Sequence, residues 1–321
     1  MEYKFCGNSG LQLPKLSLGL WHNFGFLADY NEARNMIRFA FDQGITHFDI
    51  ANNYGPPPGS AESVFGKILK EEFGNHRDEM VISSKAGYLM WNGPYGNGGS
   101  RKYLISSLNQ SLKRTGLEYF DIFYSHRFDP QTPIEETMQA LVDIVRQGKA
   151  LYIGISNYPA EQEKFAMNYL KEQNVPCLIY QGRYSMFNRK PEEEIFEIAK
   201  EFGSGFIAYS PLAQGVLTDK YLNGIPEDSR AAESHGFLRT EQVRPELIEK
   251  VKGLNEMAVE RGQTMAEMAL AWALRDERVT SLIVGARNVK QLQDNIKALD
   301  NLSFSMDELT AIDAILDGAT L

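Results

Sequence analysis

Two cysteines in 321 residues, Cys6 and Cys177, cannot build a disulfide framework and are too few for a structural zinc site. No apolar run approaches the roughly 20 residues that span a bilayer. The opening MEYKFCGNSGLQLPKLSLGL lacks an uninterrupted apolar h-region and a cleavage site, so no signal peptide and a cytoplasmic location are expected. Positive charge is scarce: 33 Lys and Arg against 42 Asp and Glu leave a formal charge of −9. That balance excludes the basic footprint of non-specific nucleic-acid binding. Any phosphorylated ligand must then be held by a local group of cations or backbone N–H donors. No Ser/Pro-rich linker or charged block divides the chain, and one domain over residues 1–321 is expected.

Short apolar runs alternate with amphipathic helical patterns. A brief pair of extended segments at 2–6 and 11–14 predicts an N-terminal β-hairpin. Eight strands are then expected at 16–20, 47–51, 80–86, 120–126, 150–156, 177–181, 205–210 and 281–286. Helices are expected at 31–43, 61–72, 102–115, 134–147, 160–172, 192–202, 264–275 and 288–298. An extra helical pattern lies at 245–261, and long loops at 87–100 and about 213–243. Asn288, with Gln291 three residues on, reads as a helix N-cap. Eight strand–helix units spaced near 30 residues predict an α/β fold, a (β/α)8 TIM barrel with a short hairpin and extra helices. A doubly wound sheet would call for G-x-G-x-x-G after its first strand. The nearest match, Gly96 to Arg101, lacks the third glycine and follows the third strand.

Barrel sites are built at the C-terminal ends of the strands. Read there, the sequence offers Trp21, Asp49, Lys85, His126, Ser156, Asn157, Gln181, Ser210, Gly285 and Arg287, with Tyr54 five residues beyond Asp49. A tyrosine with a pKa near 10 is a poor acid at neutral pH. An ammonium nearby favours the phenolate, and a carboxylate beside the ammonium keeps it charged and oriented. A neutral imidazole can donate to a carbonyl and hold it for attack. Asp49, Tyr54, Lys85 and His126 together can therefore polarise a carbonyl and protonate its oxygen as it becomes an alkoxide. No metal site is expected. A Schiff-base role for Lys85 in an aldolase-like barrel is the competing chemistry, but it leaves the motifs after the last two strands without a purpose.

These four residues on successive strands resemble the catalytic tetrad of the aldo-keto reductases. The likeness runs from FCGNSGLQLPKLSLGLW through SLIVGARNVKQLQDNIKAL. It is specific at GITHFDIANNYGPPPGSAE, RKYLISSLNQSLKRTGLEYFDIFYSHR, GKALYIGISNY and PLAQGVLTDKYLNGIPEDSR. These stretches are most similar to the bacterial L-glyceraldehyde 3-phosphate reductases, a branch related to the voltage-gated potassium-channel β subunits. The resemblance implies NADPH/NADP+ as cofactor, bound without a Rossmann fold, and small aldehydes such as L-glyceraldehyde 3-phosphate or methylglyoxal as substrates. It makes Tyr54 the general acid, Lys85 the modulator of its pKa, Asp49 the partner of Lys85, and His126 the donor that orients substrate. Ser156, Asn157 and Gln181 match contacts to the nicotinamide carboxamide, and Tyr209 matches the ring stacked on the nicotinamide. Ser210, Pro211, Leu212, Gln214, Gly215 and Lys220 match the pyrophosphate loop, with Arg230 closing over it. Gly285, Arg287, Gln291 and Asn295 match the element holding the 2′-phosphoadenosine end. Trp21 matches an aromatic that contacts cofactor or substrate.

The sequence departs from this pattern at Gln181-Gly-Arg-Tyr-Ser, where close relatives have Gln-Pro-x-Tyr-Asn, and at Arg287, where Ser is common. Arg127 and, more weakly, Arg101 are further candidates for the substrate's phosphate. His47 reads as a core histidine, and His22, His76 and His235 show no metal-ligand spacing. A cofactor-bound regulatory subunit of the channel β type is the second function to weigh. The entry of the chain into the barrel almost at once, without a segment to engage a partner, speaks against it. Relatives leave a tetramer or octamer open, and no surface stripe identifies an interface.

Overall fold

The computed structural model describes residues 1–222, 224–226 and 238–318. A two-stranded antiparallel hairpin comes first, β1 (Tyr3–Phe5) against β2 (Gln12–Pro14). Eight parallel strands then close into a barrel: β3 (Leu16–Gly19), β4 (His47–Asp49), β5 (Val81–Ala86), β6 (Phe120–Ser125), β7 (Ala150–Ser156), β8 (Ile179–Arg183), β9 (Gly205–Tyr209) and β10 (Val279–Val284). They run in chain order, with β10 pairing β3. Around them lie α1 (Tyr30–Asp42), α2 (Ser60–Glu72), α3 (Arg101–Thr115), α4 (Ile134–Arg146), α5 (Ala160–Glu172), α6 (Ile195–Glu201), α7 (Pro245–Glu260), α8 (Met265–Leu274), α9 (Val289–Ile296) and α10 (Met306–Leu316). No described helix is long and apolar enough to cross a membrane.

Helix starts follow the local chemistry. Asp29, Ser100 and Asn288 each accept a first-turn N–H. Thr264 with Glu267, and Ser305 with Glu308, form reciprocal capping boxes. Helix α10 was not expected from the hydrophobic pattern, although its capping box stands in the sequence. The other large difference is β8, which starts at Ile179 and runs to Arg183 instead of covering 177–181. The apolar pair Cys177 and Leu178 precedes the strand, and pairing with β9 continues through Gly182 and Arg183.

Alternation along each strand separates two cores. Leu16, Leu18, Phe48, Ile82 and Phe123 face outward and pack with the helices. Ile122, Tyr124, Ile179, Ile207 and Ile283 fill the barrel together with Cys6 and Leu13 of the hairpin, which closes its N-terminal end. Each such buried side chain contributes about 1.5–3 kcal/mol relative to exposure. The same inward parity continues upward to Asp49, Lys85, Gln181 and Tyr209, so the pleat itself delivers these side chains to the barrel mouth. Helix α2 approaches α3 so closely at Gly66 that a Cβ there would lie 2.5 Å from the Thr115 carbonyl oxygen. Gly66→Ala is accordingly expected to cost about 1–3 kcal/mol in urea unfolding, through overpacking.

Candidate active site

Asp49 is the fixed point of the mouth. Its Oδ2 accepts from Lys85 Nζ at 2.6 Å, and its Oδ1 accepts from Ser83 Oγ at 2.8 Å and Gln181 Nε2 at 3.0 Å. Lys85 also donates to the Ile50 carbonyl at 2.8 Å. Both ionic groups are fully desolvated, so the pair survives only because these extra donors and acceptors satisfy it. Burial pushes the Lys85 ammonium down from its usual range, against the pull of Asp49. Beneath Ser83, His47 bridges Ser83 Oγ (3.1 Å) and Ser17 Oγ (2.9 Å), and Ser17 meets Ser281 Oγ at 2.7 Å. Burial lowers the His47 imidazole to about 4, which keeps this strut neutral. His47 is thus a core histidine that also braces Asp49 through Ser83.

Tyr54 lies above the ion pair, with Lys85 Nζ 5.0 Å from its ring centre. The ring of Trp21 is 6.0 Å from that of Tyr54 on one side, and His126 is 6.0 Å away on the other in an edge-on arrangement. Burial first, then the charge of Asp49 and the neighbouring phenols of Tyr209 and Tyr88, hold the Tyr54 hydroxyl well above 10. The expected lowering by Lys85 does not emerge; desolvation wins, and the phenol keeps its proton. Burial, followed by Lys85 and Arg127, holds His126 well below 6.5, so the imidazole is neutral. Its Nδ1 is buried without a partner. The nitrogen left for a ligand is therefore Nε2, which suits a donor only in the Nε2–H tautomer.

The rim between β7 and α9 carries the remaining candidates. Asn157, with φ of 56°, donates to the His126 carbonyl at 3.1 Å and to Ser156 Oγ at 3.0 Å, and it accepts from the Tyr209 hydroxyl at 2.7 Å. After β9 the chain passes Pro211 and Leu212, and Ser210, Ala213, Gln214 and Gly215 all take left-handed backbone with φ between 48° and 99°. Within this curl the Ala213 N–H bonds the Ser210 carbonyl at 2.9 Å and the Gly215 N–H bonds the Leu212 carbonyl at 2.8 Å. Lys220 follows in the short turn Asp219–Tyr221. Beyond β10 and Gly285, the Arg287 N–H donates to Gln291 Oε1, Asn288 caps the Gln291 N–H, and the Glu32 carboxylate accepts from Val289 at 3.1 Å. Asn295 is buried on the same helix. Arg230 and His235 lie outside the described residues. With donors, acceptors and this curled loop on one rim, the residues present fit a dinucleotide.

The two arginines chosen for a substrate phosphate are engaged elsewhere. Arg127 donates to the Gly87 and Phe128 carbonyls and to Asn97 Oδ1. Arg101, at the start of α3, pairs with Asp143 of α4 in the outer ring. His76 pairs with Glu79, Trp91 packs on Tyr103, Trp272 is buried between Tyr184 and Arg275, and Cys6 and Cys177 are buried and free. Two residues escaped notice in the sequence. Tyr88 sets its ring edge-on to His126 at 4.7 Å, with its carbonyl held by the Tyr103 hydroxyl. Its signal was its place three residues after Lys85, just past a strand end. Arg183 lies on the last turn of inward parity in β8, hidden by the misplaced strand.

A model of the aldo/keto reductase family matches residues 15–317. The chain is 56% identical, over 323 aligned positions, to an L-glyceraldehyde 3-phosphate reductase of Escherichia coli O157:H7, covering 99% of this chain and 93% of that protein. It is 55% identical over the same shares to the protein of that name from Escherichia coli strain K12. A probable voltage-gated potassium channel subunit beta of Arabidopsis thaliana is 39% identical over 306 positions, or 94% of this chain and 92% of that one.

Proposed function

The chain belongs to the aldo/keto reductase family, and on that premise we propose that it reduces small aldehydes to alcohols with NADPH. L-Glyceraldehyde 3-phosphate and methylglyoxal-like carbonyls are the substrates this reading favours. One observation carries it: a desolvated Lys85–Asp49 pair, 2.6 Å apart, sits beneath the ring of Tyr54 and close to a neutral His126.

A reduced nicotinamide, when bound, supplies the hydride to the carbonyl carbon. The protein's own part is to hold the carbonyl and deliver the proton. His126 Nε2–H donates to the carbonyl oxygen and polarises the C=O bond. Tyr54 then passes its phenolic proton to that oxygen as the C–O bond becomes single, leaving a tyrosinate. Lys85 stabilises this phenolate across the low-dielectric gap, and Asp49 keeps Lys85 charged and aimed. Solvent reprotonates Tyr54 after the alcohol leaves. Ser156, Asn157 and Gln181 would hold the carboxamide and Tyr209 the nicotinamide face. Residues 210–215 and Lys220 would take the pyrophosphate, and Gly285, Arg287, Gln291 and Asn295 the phosphoadenosine end. Trp21 would line the substrate side.

The test follows NADPH absorbance with a panel of phosphorylated, dicarbonyl and aromatic aldehydes; no oxidation with any of them removes the proposal. A cofactor-bound regulatory or scaffold subunit with slow turnover is favoured by the likeness to the channel β proteins, and tight NADPH binding with negligible turnover across the panel would select it. Choice of cofactor rests on Lys220 and Arg287 as cations in an acidic chain. Arg287→Ala is expected to weaken NADPH by about 1.5–3 kcal/mol, the value of a charged hydrogen bond, and NADH little. Fluorescence titration with both cofactors measures this.

A further inference from the structure

In β8, Ile179 lies among the barrel-interior residues and Gln181 bonds Asp49, so odd positions point inward and Arg183 is the next of them. Even positions face the helices. A Cβ on Gly182 would meet the rings of Phe206 and Tyr180 at 2.9 Å, which explains why glycine stands there and fixes the parity. Arg183 pairs in register with Tyr209, at the top of the strand and partly exposed. Among the described residues it has neither a hydrogen-bonding nor an ion-pair partner for its guanidinium. Its nearness to the mouth has a second sign: its charge opposes the upward push that burial and Tyr88 give the Tyr209 phenol. Tyr209 therefore lies within electrostatic reach of both the Tyr88 phenol and this unspent guanidinium.

We propose that Arg183 is a specificity-determining residue that takes the phosphate of a short phosphorylated aldehyde at the barrel mouth. This rests on the reductase reading and adds the recognition of the substrate's far end. Of the other two arginines considered for a phosphate, Arg127 has its donors committed and Arg101 pairs with Asp143 in the outer ring. A guanidinium presents paired donors that match two phosphate oxygens. The chain's net negative charge makes an unpaired cation at the mouth more telling, since acidic partners are plentiful and none is used.

The experiment compares wild type, Arg183→Gln and Arg183→Lys with L-glyceraldehyde 3-phosphate and L-glyceraldehyde. The ratio of their kcat/KM values is expected to fall roughly 10- to 100-fold in Arg183→Gln, through KM, with partial recovery in Arg183→Lys. An unchanged ratio, or an equal fall for both aldehydes, overturns the assignment. So does a matching loss of NADPH affinity, which would give the guanidinium to the cofactor's phosphates. A second arm titrates NADP+-loaded protein with glycerol 3-phosphate and with glycerol by calorimetry. Phosphate-dependent affinity present in wild type and lost in Arg183→Gln supports the site even should wild type reduce neither aldehyde, in which case only the reductase reading fails. Equal affinity of wild type and variant for glycerol 3-phosphate overturns the site.

Discussion

Tyr54→Phe is expected to lower kcat by roughly 10²- to 10⁴-fold, the range that a positioned general acid supplies, while NADPH affinity stays within about threefold. The substitution removes one oxygen and leaves the ring in its contacts with Trp21, His126 and Lys85. Nothing in the fold depends on that oxygen: among the described residues the Tyr54 hydroxyl makes no hydrogen bond. Loss of turnover would therefore report chemistry and not collapse of the site, which a thermal melt can verify. The raised phenol has a kinetic corollary. With Tyr54 held above 10 and His126 held below 6.5, both donors keep their working protonation state from about pH 7 to 9. Hydride-transfer rates should be flat across that interval. Full activity in Tyr54→Phe would take the proton donor away from Tyr54 and leave the mechanism without an acid.

How much of this was legible in the sequence depends on which side of the backbone one asks about. The barrel followed from strand–helix spacing, because each buried parallel strand is a short apolar run and each helix an amphipathic stripe. Asp49, Lys85 and His126 could be placed because they end such runs with the inward parity that the pleat enforces. Partners across the barrel were not legible. Gln181 bonds Asp49, and His47 reaches Ser17 and Ser83, contacts that depend on barrel closure and stagger. The direction of the Tyr54 shift was misjudged for a related reason: proximity of Lys85 can be guessed from spacing, whereas the depth of burial that outweighs it cannot. Arg183 was lost through a slip of two residues in β8, where the apolar Cys177 and Leu178 masquerade as strand. Helix α10 was lost although Ser305 and Glu308 announce it.

Glu163→Gln is expected to stabilise the protein at neutral pH, and increasingly so as pH rises. Glu163 is fully buried on α5, and both of its carboxyl oxygens lack a hydrogen-bond partner. Burial alone raises its pKa from 4.5 to about 9. Its neighbours offer no relief, since a charge there would push the Cys177 thiol and the Tyr180 phenol further up. The first turn of a helix favours an anion by at most about 1–2 kcal/mol, too little to ionise a group so deeply desolvated. The sign follows from proton counting. Between pH 4.5 and 9 the folded chain holds this proton and the unfolded chain has released it, so stability falls as pH rises through that window. Below 4.5 both states are protonated and the penalty vanishes. At 1.36 kcal/mol per pH unit the cost reaches roughly 3 kcal/mol at pH 7. A neutral amide of the same shape escapes it, though it remains as poorly hydrogen-bonded as the neutral acid. Urea unfolding at pH 5, 7 and 8.5 should therefore show wild type and Glu163→Gln within about 1 kcal/mol at the lowest pH, and diverging steadily above it. The melting temperature of the variant should be higher by roughly 5 °C at pH 7. Parallel stability profiles for the two proteins would mean that Glu163 finds water or a partner in solution, and that the α5–β8 contact opens more readily than its packing suggests.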